Sequence, residues 1–133
     1  PDGAHDQRNE TMADLLNAIP QWVGEELQQY NGRETEMPYD LHFVKALVAP
    51  HGLFETEALD DIWANPKGTY LTWLAAREVY ALLGKKEMEG IRYRAGGHAH
   101  TKADVMAFLD FMEGKHSQEA YFTKESFHKD YTI

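Results

Sequence analysis

The sequence contains no cysteine and only two serines, Ser117 and Ser126, both near its C-terminal end. Without cysteine there can be no disulfide framework, no zinc site built on thiolates and no cysteine nucleophile. The positions of the two serines exclude a serine nucleophile held in a tight strand–helix turn of this chain. No apolar run approaches the roughly 20 residues of a membrane-spanning helix, so the sequence predicts no membrane span.

The remaining composition is that of an ordinary globular domain. The chain has 133 residues, of which 43% are hydrophobic and 26% are charged, and this excludes a disordered or coiled-coil protein. The net charge is −9, and residues 1–61 carry 13 acidic against 3 basic side chains. Nucleic acid is therefore not expected as a partner, because phosphate binding requires a basic stripe.

Hydrophobic spacing predicts three short helices before residue 50. They cover about residues 12–19, 22–30 and 41–48, with Asn9 or Thr11 as the first N-cap and Asp40 as the last. His42, which follows that cap, is interpreted as a structural hydrogen-bonding residue.

Two strands and two longer helices are predicted after residue 50. The strands fall near residues 51–56 and 90–95, and the helices cover 69–83 and 102–113, with residues 65–68 as a turn. The order strand, helix, strand, helix predicts an α/β fold with a parallel sheet. Thr101 and Asp104 form a capping-box pattern before the last helix.

The same patterns give expectations for burial. The apolar face of helix 69–83 is predicted at Leu71, Leu74, Ala75, Val79 and Leu82. That of helix 102–113 is predicted at Val105, Phe108, Leu109 and Met112, with Phe111 also packing. Trp22, Trp73 and Tyr80 are expected in the core, whereas Arg92 and Arg94 are expected to face solvent.

A candidate site lies in the two loops that follow the predicted strands, residues 57–63 and 96–100. In α/β sheets functional groups gather at the carboxyl ends of the strands, so an acid of the first loop would meet His98 of the second. Such a pair is the orienting half of a Ser-His-Asp triad, in which the carboxylate holds the imidazole that moves the proton. Gly96-Gly97-His98 alone is also compatible with a flexible surface loop, and the acid is left open among Asp61, Asp60, Glu57 and Glu55.

His98 and His100 form a His-x-His pair, which can bind a metal on a strand. No third ligand stands at a recognisable spacing, so no metal site is predicted.

Several blocks of the sequence together resemble one enzyme family. They are Met37–His42, Ala46–Pro50, Asp61–Gly68, Val79-Tyr80, Leu82–Gly84 and Gly96–His98. This series resembles the C-terminal half of glucuronoyl esterases, carbohydrate esterase family 15 of the α/β-hydrolase superfamily.

The resemblance implies an esterase that cleaves esters of (4-O-methyl-)glucuronic acid linking xylan to lignin, with a serine nucleophile and no cofactor. It implies that His98 is the general base, that Asp61 is the acid and that Trp63 lies against the uronate. The substrate is then a glucuronate-ester carbohydrate, and its polymeric nature implies an extracellular or periplasmic location.

The resemblance also implies an incomplete sheet. Because the chain begins at Pro1 and lacks the nucleophile, we expect a processed or excised piece that needs an N-terminal half or another chain. Residues 1–114 would be the C-terminal portion of the catalytic domain, and residues 115–133 a tail. Two alternatives stay open: an acetyl-xylan or other carboxylesterase of the same fold, and a non-catalytic interaction module.

Overall fold

The structure, a computed structural model, describes residues 9–115 of the chain, in which three helices precede an alternating strand, helix, strand and helix. The helices are α1 (Met12–Ala18), α2 (Glu25–Gln28), α3 (Leu41–Ala46), α4 (Pro66–Leu82) and α5 (Lys102–Met112). The strands are β1 (Leu53–Ala58) and β2 (Glu89–Arg94), and short 3₁₀ turns include Ile62–Ala64. None of the helices in this part of the chain is long and apolar enough to cross a membrane.

The two strands pair in parallel, as predicted. The register runs from Leu53 opposite Glu89 to Ala58 opposite Arg94. Because both strands point the same way, their carboxyl ends lie side by side. The α/β fold class is confirmed, and residues 9–115 contribute a sheet of only two strands.

Helix α4 covers one face of the sheet with aromatic side chains. Tyr70 and Trp73 stack at 5.6 Å between ring centroids and form a buried cluster with Ile91 and Tyr93 of β2. The Tyr93 hydroxyl donates to the carbonyl of Pro66 over 2.6 Å, so the buried ring keeps a partner for its polar end.

Helix α5 packs on the opposite face. The Phe111 ring stacks on Phe54 of β1 with centroids 4.9 Å apart. Gly90 of β2 permits this approach, since a Cβ at that position would lie 2.8 Å from the Phe54 ring and 3.0 Å from the Phe111 ring.

Two predicted helix boundaries are wrong. The helix expected over 22–30 is only the four-residue α2, Glu25–Gln28, which begins after Gly24. Residues 65–68 were expected as a turn, but α4 already begins at Pro66. Asn65 has a φ of 57° and caps the helix, its side-chain oxygen accepting the Gly68 N–H over 2.9 Å. Proline suits the first helical position because the N–H it lacks has no partner there.

The predicted packing faces of α4 and α5 are largely wrong, although Phe111 packs as expected and Leu71 is half-buried. The buried residues of α4 are Pro66, Tyr70, Trp73, Ala76 and Tyr80, whereas Leu82 is 85% exposed. On α5 the buried residues are Asp104 and Ala107, and Val105, Phe108, Leu109 and Met112 are exposed. In α4 the large rings bury more area than the leucines, and in α5 the Asp104 and Phe111 contacts fix the helix rotation.

The core expectations were partly correct. Trp73 and Tyr80 are buried as predicted, but Trp22 is 72% exposed; it lies in the 3₁₀ turn Pro20–Trp22, which buries none of its three residues. The predicted caps are confirmed: Thr11 and Asp40 cap α1 and α3, and Thr101 forms a capping box with Asp104. Thr11 forms a second capping box, with Asp14, which the sequence patterns did not predict. Residues 116–133 of the expected tail lie outside the described part of the chain.

Glu89 is a fully buried acid at the start of β2. Neither of its carboxylate oxygens has a hydrogen-bond partner within residues 9–115. Burial raises the pKa of Glu89 to about 7; Arg77 and Lys45 oppose this rise and Glu55 adds to it. The fold therefore favours the protonated carboxyl group.

We expect Glu89→Gln to flatten the pH dependence of stability. The pKa of Glu89 is higher in the folded protein than its ordinary value of 4.5. The contribution of the protonated carboxyl to the free energy of unfolding is therefore fully present below pH 4.5 and is lost as the pH rises through about 7. Urea unfolding should find the variant close to wild type at pH 4.5, and more stable at pH 8 by as much as about 3 kcal/mol. Glu87→Gln, at an exposed position, is the control. A constant difference between Glu89→Gln and wild type at both pH values would contradict the expectation.

Candidate active site

The loops that follow β1 and β2 are joined by backbone hydrogen bonds beyond the strands. The Leu59 N–H donates to the Arg94 carbonyl over 2.8 Å, and the Asp60 N–H donates to the Gly96 carbonyl over 3.1 Å. The Asp60 carboxylate in turn accepts the Gly96 N–H over 3.0 Å. Gly96 has a φ of 97°, a conformation that favours glycine, and here the second loop turns away from the strand direction.

This arrangement brings Asp61 and His98 together. The Nδ1 atom of His98 lies 2.9 Å from the Oδ2 atom of Asp61. The Asp61 side chain is only 15% exposed, whereas that of His98 is 90% exposed. The Asp61 backbone is held at both groups, its N–H donating to the Ala58 carbonyl and its carbonyl accepting the Ala64 N–H, each over 3.1 Å.

The geometry suits an acid–base pair. A carboxylate accepts the Nδ1 proton of a neutral imidazole, which leaves the Nε2 lone pair free to take a proton from another group. Because the carboxylate is half-buried and the imidazole is exposed, the fixed member of the pair is Asp61 and the accessible member is His98.

The other three candidate acids are engaged elsewhere. Asp60 binds Gly96, and Glu57 accepts the Thr69 hydroxyl over 2.7 Å. Burial raises the pKa of Glu57, although its hydrogen bond with Thr69 opposes the rise. Glu55 pairs with Lys45, with 2.6 Å between nitrogen and oxygen. Of the four acids, Asp61 is the one whose carboxylate reaches His98.

Trp63 lies two residues beyond Asp61, in the 3₁₀ turn Ile62–Ala64. Trp63 is 52% exposed. Its carbonyl accepts the Glu10 N–H over 2.9 Å, and this hydrogen bond connects the turn to the segment just before α1. The structure thus places an accessible aromatic side chain on the same loop as the acid.

The other candidate histidines, His100 and His42, lie apart from the pair. His100 is exposed, and residues 9–115 contain no group of three His, Cys, Asp or Glu side chains that could hold a metal ion. His42 lies near its helix cap, with Nδ1 3.9 Å from an oxygen of Asp40, and its ring is 4.3 Å from that of Phe43.

Arg94 is the residue near the site that the sequence patterns missed. It was expected in solvent, but its side chain is only 17% exposed, whereas Arg92 is exposed as predicted. Its Nε lies 2.8 and 2.9 Å from the two carboxylate oxygens of Asp104. The period-two pattern correctly places Arg92 and Arg94 on the same face of β2, but α5 covers this face at Arg94. The sequence feature that could have indicated the contact is an arginine four residues before His98 together with an acid in the first turn of the next helix.

Comparisons with known proteins agree with this architecture. The family model described as "Glucuronyl esterase, fungi" matches residues 3–84. A carbohydrate esterase, MZ0003, from an unknown prokaryotic organism is 29% identical over an alignment of 119 residues, and the match covers 78% of this chain and 28% of that protein. The 4-O-methyl-glucuronoyl methylesterase of Schizophyllum commune is 32% identical over an alignment of 108 residues, and the match covers 76% of this chain and 27% of that protein.

Solved structures give the same result. A carbohydrate esterase family 15 glucuronoyl esterase from Caldicellulosiruptor kristjansonii superposes with a TM-score of 0.76 at 31% identity, covering 80% of this chain and 28% of that one. A promiscuous esterase of the same family, from a marine bacterial metagenome, has a TM-score of 0.76 at 28% identity and covers 81% of this chain and 31% of that one.

The matches thus span a little over a quarter of the length of these two curated relatives. The family model covers more than half of the chain, and the resemblance that the sequence motifs indicated is confirmed. The chain belongs to the glucuronyl esterase family and contains part of its α/β-hydrolase fold.

Proposed function

We propose that the protein to which this chain belongs is a carboxylic ester hydrolase that acts on glucuronoyl esters. The observation that carries this proposal is the 2.9 Å contact between His98 and Asp61 at the carboxyl ends of two parallel strands. A base oriented by a half-buried carboxylate is what acyl transfer requires. Membership of the glucuronyl esterase family supports the substrate class.

In the proposed mechanism His98 Nε2 takes the proton of a serine hydroxyl as that oxygen attacks the ester carbonyl. His98 then gives this proton to the departing alcohol, and an acyl-enzyme is left. Water, deprotonated by His98, then attacks the acyl carbonyl, and His98 returns that proton to the serine oxygen as the acyl–serine bond breaks and glucuronate is released. Asp61 holds the imidazole in the required tautomer and stabilises the imidazolium that forms twice per cycle. The reaction needs no metal and no cofactor.

The described residues include no serine, so the nucleophile belongs in this proposal to polypeptide outside them. That polypeptide, an N-terminal half or another chain, would also extend the two-stranded sheet, since a parallel pair exposes strand edges and helix faces. A polymeric lignin–carbohydrate substrate would place the enzyme outside the cytoplasm, in the periplasm or extracellular space.

Trp63 is proposed to contact the uronate part of the substrate. Its exposure and its position two residues after Asp61 support this assignment. An indole offers a flat apolar surface to the C–H face of a sugar ring while its N–H can donate to a hydroxyl.

The base assignment is tested by His98→Ala in the complete protein. We expect turnover of benzyl glucuronate to fall at least about 10²-fold, because general-base catalysis contributes on that scale. The exposed His100 gives a matched control, and His100→Ala should stay within a few-fold of wild type. Asp61→Asn should cost far more activity than Asp60→Asn, because Asp60 binds Gly96 and not His98. Activity of His98→Ala within a few-fold of wild type would exclude His98 as the base.

The substrate range is tested by comparing two esters as substrates of the complete wild-type protein. One relative is described as a promiscuous esterase, which favours a broader carboxylesterase, acetyl-xylan included, as the second candidate. Comparable kcat/KM for benzyl glucuronate and an aryl acetate would support that candidate. No turnover of either ester by the complete wild-type protein would leave the non-catalytic interaction module as the interpretation.

The Trp63 assignment is tested by Trp63→Ala and Trp63→Phe. We expect KM for benzyl glucuronate to rise several-fold in the alanine variant and much less in the phenylalanine variant, which keeps a flat ring. Steady-state kinetics of both variants measure this. Equal KM values for wild type and Trp63→Ala would remove Trp63 from the substrate site.

A further inference from the structure

Arg94 connects the last residue of β2 to the loop that carries His98. Its Nη1 donates to the carbonyls of Ala95 and Gly97, each over 3.2 Å, and its Nη2 donates to the carbonyl of Ala99. Two of these carbonyls belong to the residues immediately before and after His98. One guanidinium group therefore holds the backbone on both sides of the proposed base.

Asp104 anchors the other side of this guanidinium. Both of its oxygens contact Arg94 Nε, and one of them also accepts the N–H and the hydroxyl of Thr101, each over 2.7 Å. Burial alone would raise the pKa of Asp104, but its hydrogen bonds with Thr101 and Arg94 outweigh that effect and lower the pKa. The anchor is thus an ionised, almost fully buried carboxylate at the start of α5.

Besides Arg94, Asp60 holds this loop at Gly96 and Asp61 holds the ring of His98. Gly96 and Gly97 precede His98, and glycine gives the backbone the greatest freedom to move. The His98 side chain is 90% exposed, so neighbouring side chains offer it little packing. A hydrogen bond to Asp61 fixes one ring nitrogen but does not determine where the backbone presents the ring.

We propose that Arg94, held by Asp104, is a positioning residue for His98. The inference rests on the proposed esterase function, because it assigns Arg94 to the base of that reaction. Arg94 does not touch the substrate in this proposal; it sets the loop backbone so that the Asp61–His98 pair forms without first ordering the glycine loop. A misplacement of about 1 Å can cost a catalyst 10²-fold in rate, so positioning of this kind has a measurable effect.

The arrangement requires arginine rather than lysine. A planar guanidinium carries five N–H donors in a fixed fork and can bind a carboxylate and several carbonyls at once. A lysine ammonium has three donors around one point and cannot reach Asp104 and the carbonyls on both sides of His98 together. Arg92, two residues earlier on the same strand, is exposed and has no comparable set of contacts; its one described hydrogen bond is to the Ala103 carbonyl over 3.5 Å.

The test is Arg94→Lys in the complete protein, with Arg92→Lys as the matched control. For Arg94→Lys we expect kcat on benzyl glucuronate to fall at least about tenfold while KM stays within threefold, because the base is misplaced and the substrate contacts are kept. Amide hydrogen exchange across residues 95–100 should become faster in this variant, with the exchange of β2 and α4 unchanged. Arg92→Lys should change neither kcat nor exchange.

Asp104→Asn provides a second variant in case Arg94→Lys does not fold. It keeps the size of the side chain and an oxygen for Thr101, but removes the charge that anchors Arg94, so we expect a smaller fall in kcat of the same kind. The proposal is overturned if Arg94→Lys retains kcat within twofold with unchanged loop exchange. It is equally overturned if Arg94→Lys and Arg92→Lys lose activity and thermal stability to the same extent, since that indicates a general structural role.

Amide hydrogen exchange tests the role of Arg94 independently of whether the protein is an esterase. If the wild-type protein does not cleave the ester, the esterase assignment fails. Faster exchange of residues 95–100 in Arg94→Lys alone would still support Arg94 as the residue that orders the His98 loop, and unchanged exchange would overturn that role.

Discussion

Parallel pairing of β1 with β2 is the constraint on which the site depends. Because Ala58 lies opposite Arg94, both strands end at the same level and their loops begin side by side. The pairing continues through the Leu59–Arg94 and Asp60–Gly96 hydrogen bonds, so the loops stay in register for two more residues. A shift of this register would separate Asp61 from His98 even if every loop residue were kept.

Three carboxylates around the site each have a different structural role. Asp60 joins the two loops, Asp61 contacts His98, and Asp104 holds Arg94 against the loop backbone. Each carboxylate thus has a different partner, although all three lie within a few residues of the strand or helix ends. The proposed base can be highly exposed, and so accessible to a substrate, because its backbone and its Nδ1 atom are both fixed from the protein side.

Sequence patterns correctly predicted those features that depend on residues close together in the chain. The Thr101–Asp104 capping box, the parallel strand order and the two loops of the candidate site followed from spacing and turn residues. The choice of Asp61 among four nearby acids came from a family resemblance, because the hydrogen bonds that engage the other acids depend on tertiary packing.

The errors fall where distant elements meet. The leucine face predicted for α4 is displaced by the Tyr70 and Trp73 rings because β2 presents Tyr93 to them. Arg94 was expected in solvent because nothing in the strand pattern indicates that α5 places Asp104 beside it. Hydrophobic periodicity and secondary-structure propensity describe one helix or strand at a time, whereas each of these contacts depends on how two elements pack together.

The most direct test of this account is the tautomer of His98, measured by ¹⁵N NMR of the histidine-labelled complete protein at a pH where the imidazoles are neutral. The hydrogen bond to Asp61 requires a proton on Nδ1 of His98 and a bare Nε2, whereas the exposed His100 reports an imidazole without that partner. We expect His98 to show the Nδ1–H form in the wild type and to shift towards the His100 pattern in Asp61→Ala. A wild-type His98 with the same tautomer as His100, unaffected by Asp61→Ala, would contradict the account.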